Sequence, residues 1–330
     1  MTAWLERRQI ALYLAAIALG AVLAVLLPGV GAAAAEPAIT PVLGLLLFAT
    51  FLGVPLLTLG RAVRDLRFLA AVGVLNFVVV PVVAFGLSRF VASDDALLVG
   101  VLLVLLTPCV DYVIVFSGLA GGSADRLLAA SPLLMLAQLV LLPVYLLLFA
   151  GPGVLDLIDP APFAAAFLWL IAVPLAAAAA VQWGVGRLPR LRAVQTAAQA
   201  AMVPLLMATL LLVVASQLHA VLGSIGALAV VVPLYVAFLI VMVPLGMAAA
   251  RVARLDVASS RALVFSGATR NSLVVLALAL PLSGALSLVP LVVVTQTLVE
   301  LVGMLVLIRL VPRLLPEGAR VPRPPTRPRR

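Results

Sequence analysis

Apolar runs of about twenty residues recur along the whole chain, and that leaves few folds open. Inside a bilayer core of about 30 Å every backbone N–H and C=O must be paired internally, so a spanning segment is a helix or a strand of a closed barrel. The runs here suit helices and are too long for barrel strands. Ten can be laid out: Gln9–Leu27, Ile39–Leu59, Phe68–Leu87, Ala96–Leu119, Leu127–Ala150, Pro162–Trp183, Val194–Ser216, Leu222–Ala249, Arg261–Leu282 and Leu286–Val311. With 65% hydrophobic and 10% charged residues, the composition is that of an all-α polytopic membrane protein.

The charges orient those spans. A net charge of +9 comes from 21 arginines and no lysine. In a soluble chain this balance points to nucleic acid. Here the arginines fall in alternate short loops: Arg7 and Arg8, then Arg61, Arg64 and Arg67, then Arg126, then Arg187, Arg190 and Arg192, then Arg251, Arg254 and Arg261, then Arg309 and Arg313. The other loops carry Glu36, then Arg89 with Asp94 and Asp95, then Asp156 with Asp159. The positive-inside rule therefore predicts both termini in the cytoplasm, with the protein in the cell's inner (plasma) membrane and no nucleic-acid partner. Residues 1–8 end in too much charge, and lead into too long a run, for a cleaved leader. Five spans per half, an odd number, invert the second half relative to the first, which predicts two inverted five-helix repeats. From Pro312 the chain reads as a disordered basic tail.

Two spans are interrupted. In TPCVDYVIVF (Thr107–Phe116) a proline, the only cysteine and an aspartate break an apolar run. Pro108 has no N–H, biases Thr107 away from helix and suits the first turn of a new one. In FSGATRNSLVVL (Phe265–Leu276) small and polar residues surround Arg270 and Asn271, with Gly267 a candidate hinge. Asp111 moved forward by 158 positions falls on Thr269, and the same offset carries Pro132 to Pro290 and Gln138 to Gln296. This shared Pro-x5-Gln frame predicts an internal repeat with breaks in the fourth and ninth spans, crossing near mid-membrane, where carriers bind their substrates.

A half-helix start presents unpaired N–H groups and a positive dipole end, which favour an anion or polarised oxygen. Cys109 at such a start can act as a thiolate, a soft ligand for a thiophilic species, or can simply be a small buried hydrophobe. Arg270 is expected to pair with Asp111, since an unpaired charge there is costly. Thr269, Asn271 and Ser272 complete the candidate substrate contacts. Glu300 lies four residues after Gln296 on one helical face, where it carries a coupling proton or hydrogen-bonds a neighbouring helix. Gln138 and Gln296 are pathway residues or interhelical ties. One cysteine and one histidine, His219, make a metal centre unexpected, and no cofactor is expected.

The segments TPCVDYVIVFSGLAGG, SPLLMLAQLVLLPVYLLLF, GATRNSLVVLALALP and VVVTQTLVELVGM together resemble the bile-acid/sodium symporter superfamily, specifically its arsenical-resistance permease branch. The resemblance implies a panel domain of spans 1–2 (residues 1–67) and 6–7 (151–220), and a core domain of spans 3–5 (68–150) and 8–10 (221–311), followed by the tail (312–330). It also implies that Pro108 and Cys109 match a Pro-Cys pair tied to arsenite transport. Two departures accompany it. The Asn-Asn-x-Glu run of the efflux members is replaced by Arg270, Asn271, Ser272, Leu273 and Val274, and Ser266 stands where bile-acid-type members place a sodium-binding glutamate.

The leading expectation is a secondary-active transporter, not an enzyme, that extrudes arsenite or a similar small oxyacid, coupled to protons rather than sodium. The alternatives are a cation-coupled symporter of a small organic anion, with Arg270 receiving a carboxylate, and a membrane sensor or scaffold that moves nothing. The expected partners are the small-molecule substrate and the lipid bilayer.

Overall fold

The computed structural model describes residues 2–27, 30–54, 65–110, 112–151, 153, 157, 160–185, 187–282 and 284–316. Asp111, Arg61, Arg64, Asp156, Asp159 and the tail from residue 317 lie outside them. The described residues are helical, with no strand beyond one isolated bridge.

Two long helices open the chain, α1 (Thr2–Leu26) and α2 (Val30–Gly53). The third, α3 (Leu66–Val91), is followed by two short helices, α4 (Asp95–Leu105) and α5 (Tyr112–Leu119), and by a long one, α6 (Ala124–Ala150). Next comes α7, which runs from Pro160–Ala166 through Phe167–Ala172 into Val173–Gly184, and then α8 (Pro189–Gly223). One turn, Ile225–Leu228, leads into α9 (Val231–Val252). Two more short helices, α10 (Val257–Ala268) and α11 (Ser272–Ala279), precede α12 (Val289–Leu314). Among the described residues six helices are long and apolar enough to cross a membrane: α3, α6, α7, α8, α9 and α12.

Several starts are fixed by side-chain caps. Asp94 accepts from the N–H groups of Ala96 and Leu97, both at 3.0 Å, at the head of α4. Asp256 accepts from Ser259 N–H at 2.8 Å at the head of α10, and Asn271 from Val274 N–H at 3.2 Å at the head of α11. Each cap meets a donor that a helix start cannot satisfy by itself.

A π-helical turn, Leu75–Val79, sits inside α3, just before Pro81. Proline offers no N–H to the carbonyl four residues back and its ring crowds that carbonyl, so the turn widens. The displaced carbonyl is that of Phe77, and the Tyr145 hydroxyl of α6 donates to it at 2.5 Å. The same pairing of a π turn with a following proline recurs in α7, at Phe167–Ala172 and Pro174.

The helices pack in two sets. α1, α2, α7 and α8 pack chiefly on one another, and α3 to α6 with α9 to α12 form the other set. Contact between the sets is sparse, chiefly where α11 meets α2 and α7 and where α12 meets α8. The short helices lie at the centre: every residue of 96–105, 259–268 and 272–279 is buried. Close approach depends on small residues. A Cβ on Gly100 of α4 would lie 2.6 Å from Cγ1 of Val292 on α12.

At one end of the bundle Arg126 pairs with Asp65 at 3.2 Å and Asp256 at 3.0 Å. Arg261, counted as a loop residue from the sequence, is instead buried on α10. It donates to the carbonyls of Leu315, at 2.8 Å from Nη2, and Ala120, at 3.1 Å from Nη1. The helix α12 also runs through Pro312 to Leu314, so the expected tail starts later than residue 312. The Pro-x5-Gln frame does not sit at equal heights in the two helices. Pro132 is the ninth residue of α6, whereas Pro290 is the second of α12.

Candidate functional site

Two gaps in helical structure face each other. α4 ends at Leu105 and α5 begins at Tyr112; α10 ends at Ala268 and α11 begins at Ser272. Gly267, expected as the second hinge, lies inside α10, and the break falls on Thr269, Arg270 and Asn271. A Cβ at Gly267 would come 2.7 Å from Leu75 Cδ2, so packing against α3 explains that glycine.

Unwound backbone in an apolar interior must find partners. Here the two gaps supply each other. Cys109 N–H donates to Thr269 O at 3.3 Å, and Asn271 N–H donates to Thr107 O at 2.8 Å. Pro108 and Arg270 are the opposed residues of this antiparallel bridge. In such a non-hydrogen-bonded pair neither residue uses its own N–H or C=O within the bridge. The proline's missing donor therefore costs nothing, and Arg270 keeps both backbone groups for other elements. Its N–H donates to Oε2 of Glu300 on α12 at 2.8 Å, and its carbonyl accepts from the Tyr112 hydroxyl of α5 at 2.8 Å. Tyr112 also contacts Oε1 of Glu300, and Gln296 Nε2 donates to Oε2.

The Arg270 side chain is fully buried. Nη2 donates to Asn76 Oδ1 at 2.8 Å, Ser266 O at 2.6 Å and Gly267 O at 2.9 Å, and Nη1 to Leu105 O at 3.3 Å. The π turn of α3 aims Asn76 here, and Asn76 Nδ2 is held by Val72 O at 3.1 Å and Ser266 Oγ at 2.9 Å. The expected partner, Asp111, lies outside the described residues. Among those described, the carboxylate brought to this break is that of Glu300, and it meets the backbone of Arg270.

The remaining sequence candidates are distributed as follows. Cys109 is 1% exposed, within the bridge. Thr269 turns its hydroxyl back to Phe265 O at 2.7 Å. Asn271 Nδ2, Ser272 Oγ, Gln296 Oε1 and Arg270 Nε are buried side-chain atoms without a hydrogen-bond partner. Gln138 is buried on α6, also with Oε1 unpartnered, and no hydrogen bond among the described residues joins it to the crossing. Sequence reasoning missed Asn76 and Tyr112. One signal was present: the chain has two asparagines, Asn76 and Asn271, and both turn out to serve the crossing.

Long apolar helices wrapped around two interrupted, mutually paired ones define a multi-pass membrane protein with irregular backbone at its centre. Residues 40–218, more than half of the chain, match the sodium bile acid symporter family, and the chain belongs to that family of membrane transporters. The match takes in the first broken pair and ends before the second. No curated protein gives a significant match.

Proposed function

We propose that the protein is a secondary-active transporter whose substrate passes the crossing of the two broken helices. The observation that carries this reading is the backbone bridge from Thr107–Cys109 to Thr269–Asn271. Irregular backbone at membrane depth is tolerated where it is enclosed by protein or lines a path, and carriers bind solutes at such places. Beside it, Asn271 Nδ2, Ser272 Oγ and Gln296 Oε1 are buried polar atoms that a polar solute can satisfy. We take the six long helices, α1, α2 and the two broken pairs as ten spans. Three long helices, a broken pair and a long helix occur in that order twice, which supports two inverted repeats. The set of α1, α2, α7 and α8 corresponds to a panel and the remainder to a core. The arginine-rich loops favour an inner-membrane protein with both termini cytoplasmic.

The substrate we favour is arsenite or a similar small oxyacid, extruded in exchange for protons. Cys109, the only sulfur nucleophile of the chain, lies in the bridge, and Glu300 offers a protonatable oxygen beside it. A second reading, cation-coupled uptake of a small organic anion, draws on the family's own description. Against it, Nη1 and Nη2 of the Arg270 guanidinium already hold four oxygens, and Nε alone is left to offer a carboxylate in this conformation. The test is arsenite uptake into everted vesicles. Wild-type protein is expected to accumulate arsenite, and Cys109→Ser to abolish this at nearly unchanged abundance. Wild-type vesicles that ignore arsenite but take up an organic anion in right-side-out form would replace the first reading with the second.

A further inference from the structure

Arg270 is the largest fully buried side chain among those described, yet both ion pairs found among the described residues belong to Arg126. Among the described residues, the oxygens that accept hydrogen bonds from its guanidinium are all neutral. Ser266 O and Gly267 O come from the last turn of α10 and Leu105 O from the end of α4. Carbonyls at helix C-termini carry partial negative charge that no intrahelical donor offsets. Asn76 Oδ1 adds a side-chain dipole, and the Phe238 ring lies 5.5 Å from Cζ, presenting its face to the positive charge.

The geometry around Nη2 is specific. Three oxygens converge on it at 2.6 to 2.9 Å, although this nitrogen carries only two hydrogens. A planar donor leaves such a shell over-supplied with acceptors, while a spherical cation can use all of them. Unwound carbonyls and half-helix C-termini are also how cation-coupled carriers hold sodium.

We propose that the Arg270 guanidinium is a tethered cation filling an alkali-cation site built by Asn76, Ser266 and Gly267, so that this chain binds no sodium there until the side chain is removed. A cation fixed by a covalent tether cannot be released on the far side of the membrane, so this site contributes no sodium coupling. That consequence rests on the transporter reading above, whereas the cation site itself does not.

The experiment is thermal unfolding of the purified full-length protein, followed by tryptophan fluorescence, in sodium chloride and in choline chloride at equal ionic strength. Wild-type protein is expected to unfold at the same temperature in both. Arg270→Ala is expected to be destabilised in choline and to recover saturably as sodium replaces it, as any ligand that binds only the folded state requires. Arg270→Lys, whose ammonium has three hydrogens for the three oxygens, should stay indifferent to sodium. Adding Asn76→Leu to Arg270→Ala should remove the recovery. A flat sodium titration of Arg270→Ala, or a sodium shift of the wild type at this site that survives in Arg270→Lys and is lost with Asn76→Leu, overturns the proposal. So does failure of both Arg270→Ala and Arg270→Ser to fold in sodium and choline alike, because the arginine is then a structural pin. If the sodium recovery appears but no solute is transported, the transporter reading fails and the site remains.

Discussion

The backbone N–H of Arg270 and Oε2 of Glu300 are joined at 2.8 Å. Arg270 can offer that N–H because its place opposite Pro108 leaves it unused within the bridge. One break therefore ties together α5, α11 and α12, through Tyr112, its own backbone and Glu300.

The Tyr112 hydroxyl has one proton and touches two oxygens, Arg270 O and Glu300 Oε1. With Glu300 protonated both contacts are hydrogen bonds; with Glu300 ionised only one is. The groups facing Glu300 are Tyr112 from α5, Gln296 on its own helix and Arg270 at the break. Glu300→Gln mimics the protonated acid permanently. We predict that it flattens the pH dependence of transport between mildly acidic and mildly alkaline media while protein abundance stays the same. Unaltered pH dependence in initial-rate measurements would remove Glu300 from the proton path.

Asn76 bonds a charged guanidinium, whereas Ser266 Oγ only steadies Asn76. Asn76→Ala should thus cost about 1.5–3 kcal/mol, the range for a hydrogen bond to a charged group, and Ser266→Ala distinctly less. Unfolding in a denaturant series ranks the two, and the reverse order would refute the assignment.

Gly100→Ala should destabilise the protein by about 1–3 kcal/mol, because the new methyl meets Val292 and a packed interior yields little. In a Val292→Ala background the same change should become neutral or stabilising by up to about 1 kcal/mol, the helix preference for alanine over glycine. A cost that persists there would place the clash elsewhere.

Burial alone would raise the carboxyl pKa of Asp256, but hydrogen bonds from Ser259 and the nearby Arg126 hold it below the ordinary value. Its stabilising contribution is present above the pKa of an unfolded aspartate and is lost as pH falls through the lowered folded value. Asp256→Ala should cost about 1 kcal/mol as a lost helix cap, and the deficit should shrink in acid. The Arg126 pair adds little, since both side chains are well exposed. Melting temperatures at neutral and acidic pH decide this.

Much of the fold could be read from local patterns. Pro108 announced the first break because it stands beside a cysteine and an aspartate in an apolar run, whereas Pro132 and Pro312, in other settings, lie inside continuous helices; the polar run around Arg270 announced the second. What escaped depends on distance in the chain. Asn76 acquires its role from Arg270, 194 positions away, and from a π turn that Pro81 permits but does not dictate. Gly267 misled because a glycine beside a break suggests a hinge, while here it makes room for Leu75. Glu300 was recognised as a candidate, but its contact with a backbone N–H could not be foreseen without knowing which face of the bridge Arg270 leaves open.

Cys109 is the sole thiol of the chain and is 1% exposed, at the centre of the crossing. The protein thus comes with a single reporter already installed, and no cysteine-free background has to be engineered. A membrane-permeant maleimide can alkylate it only while the crossing is open, so the labelling rate rises with the fraction of time the crossing spends open. The same reaction in the presence and absence of a solute ranks solutes by how strongly they close the path, before any transport assay is available.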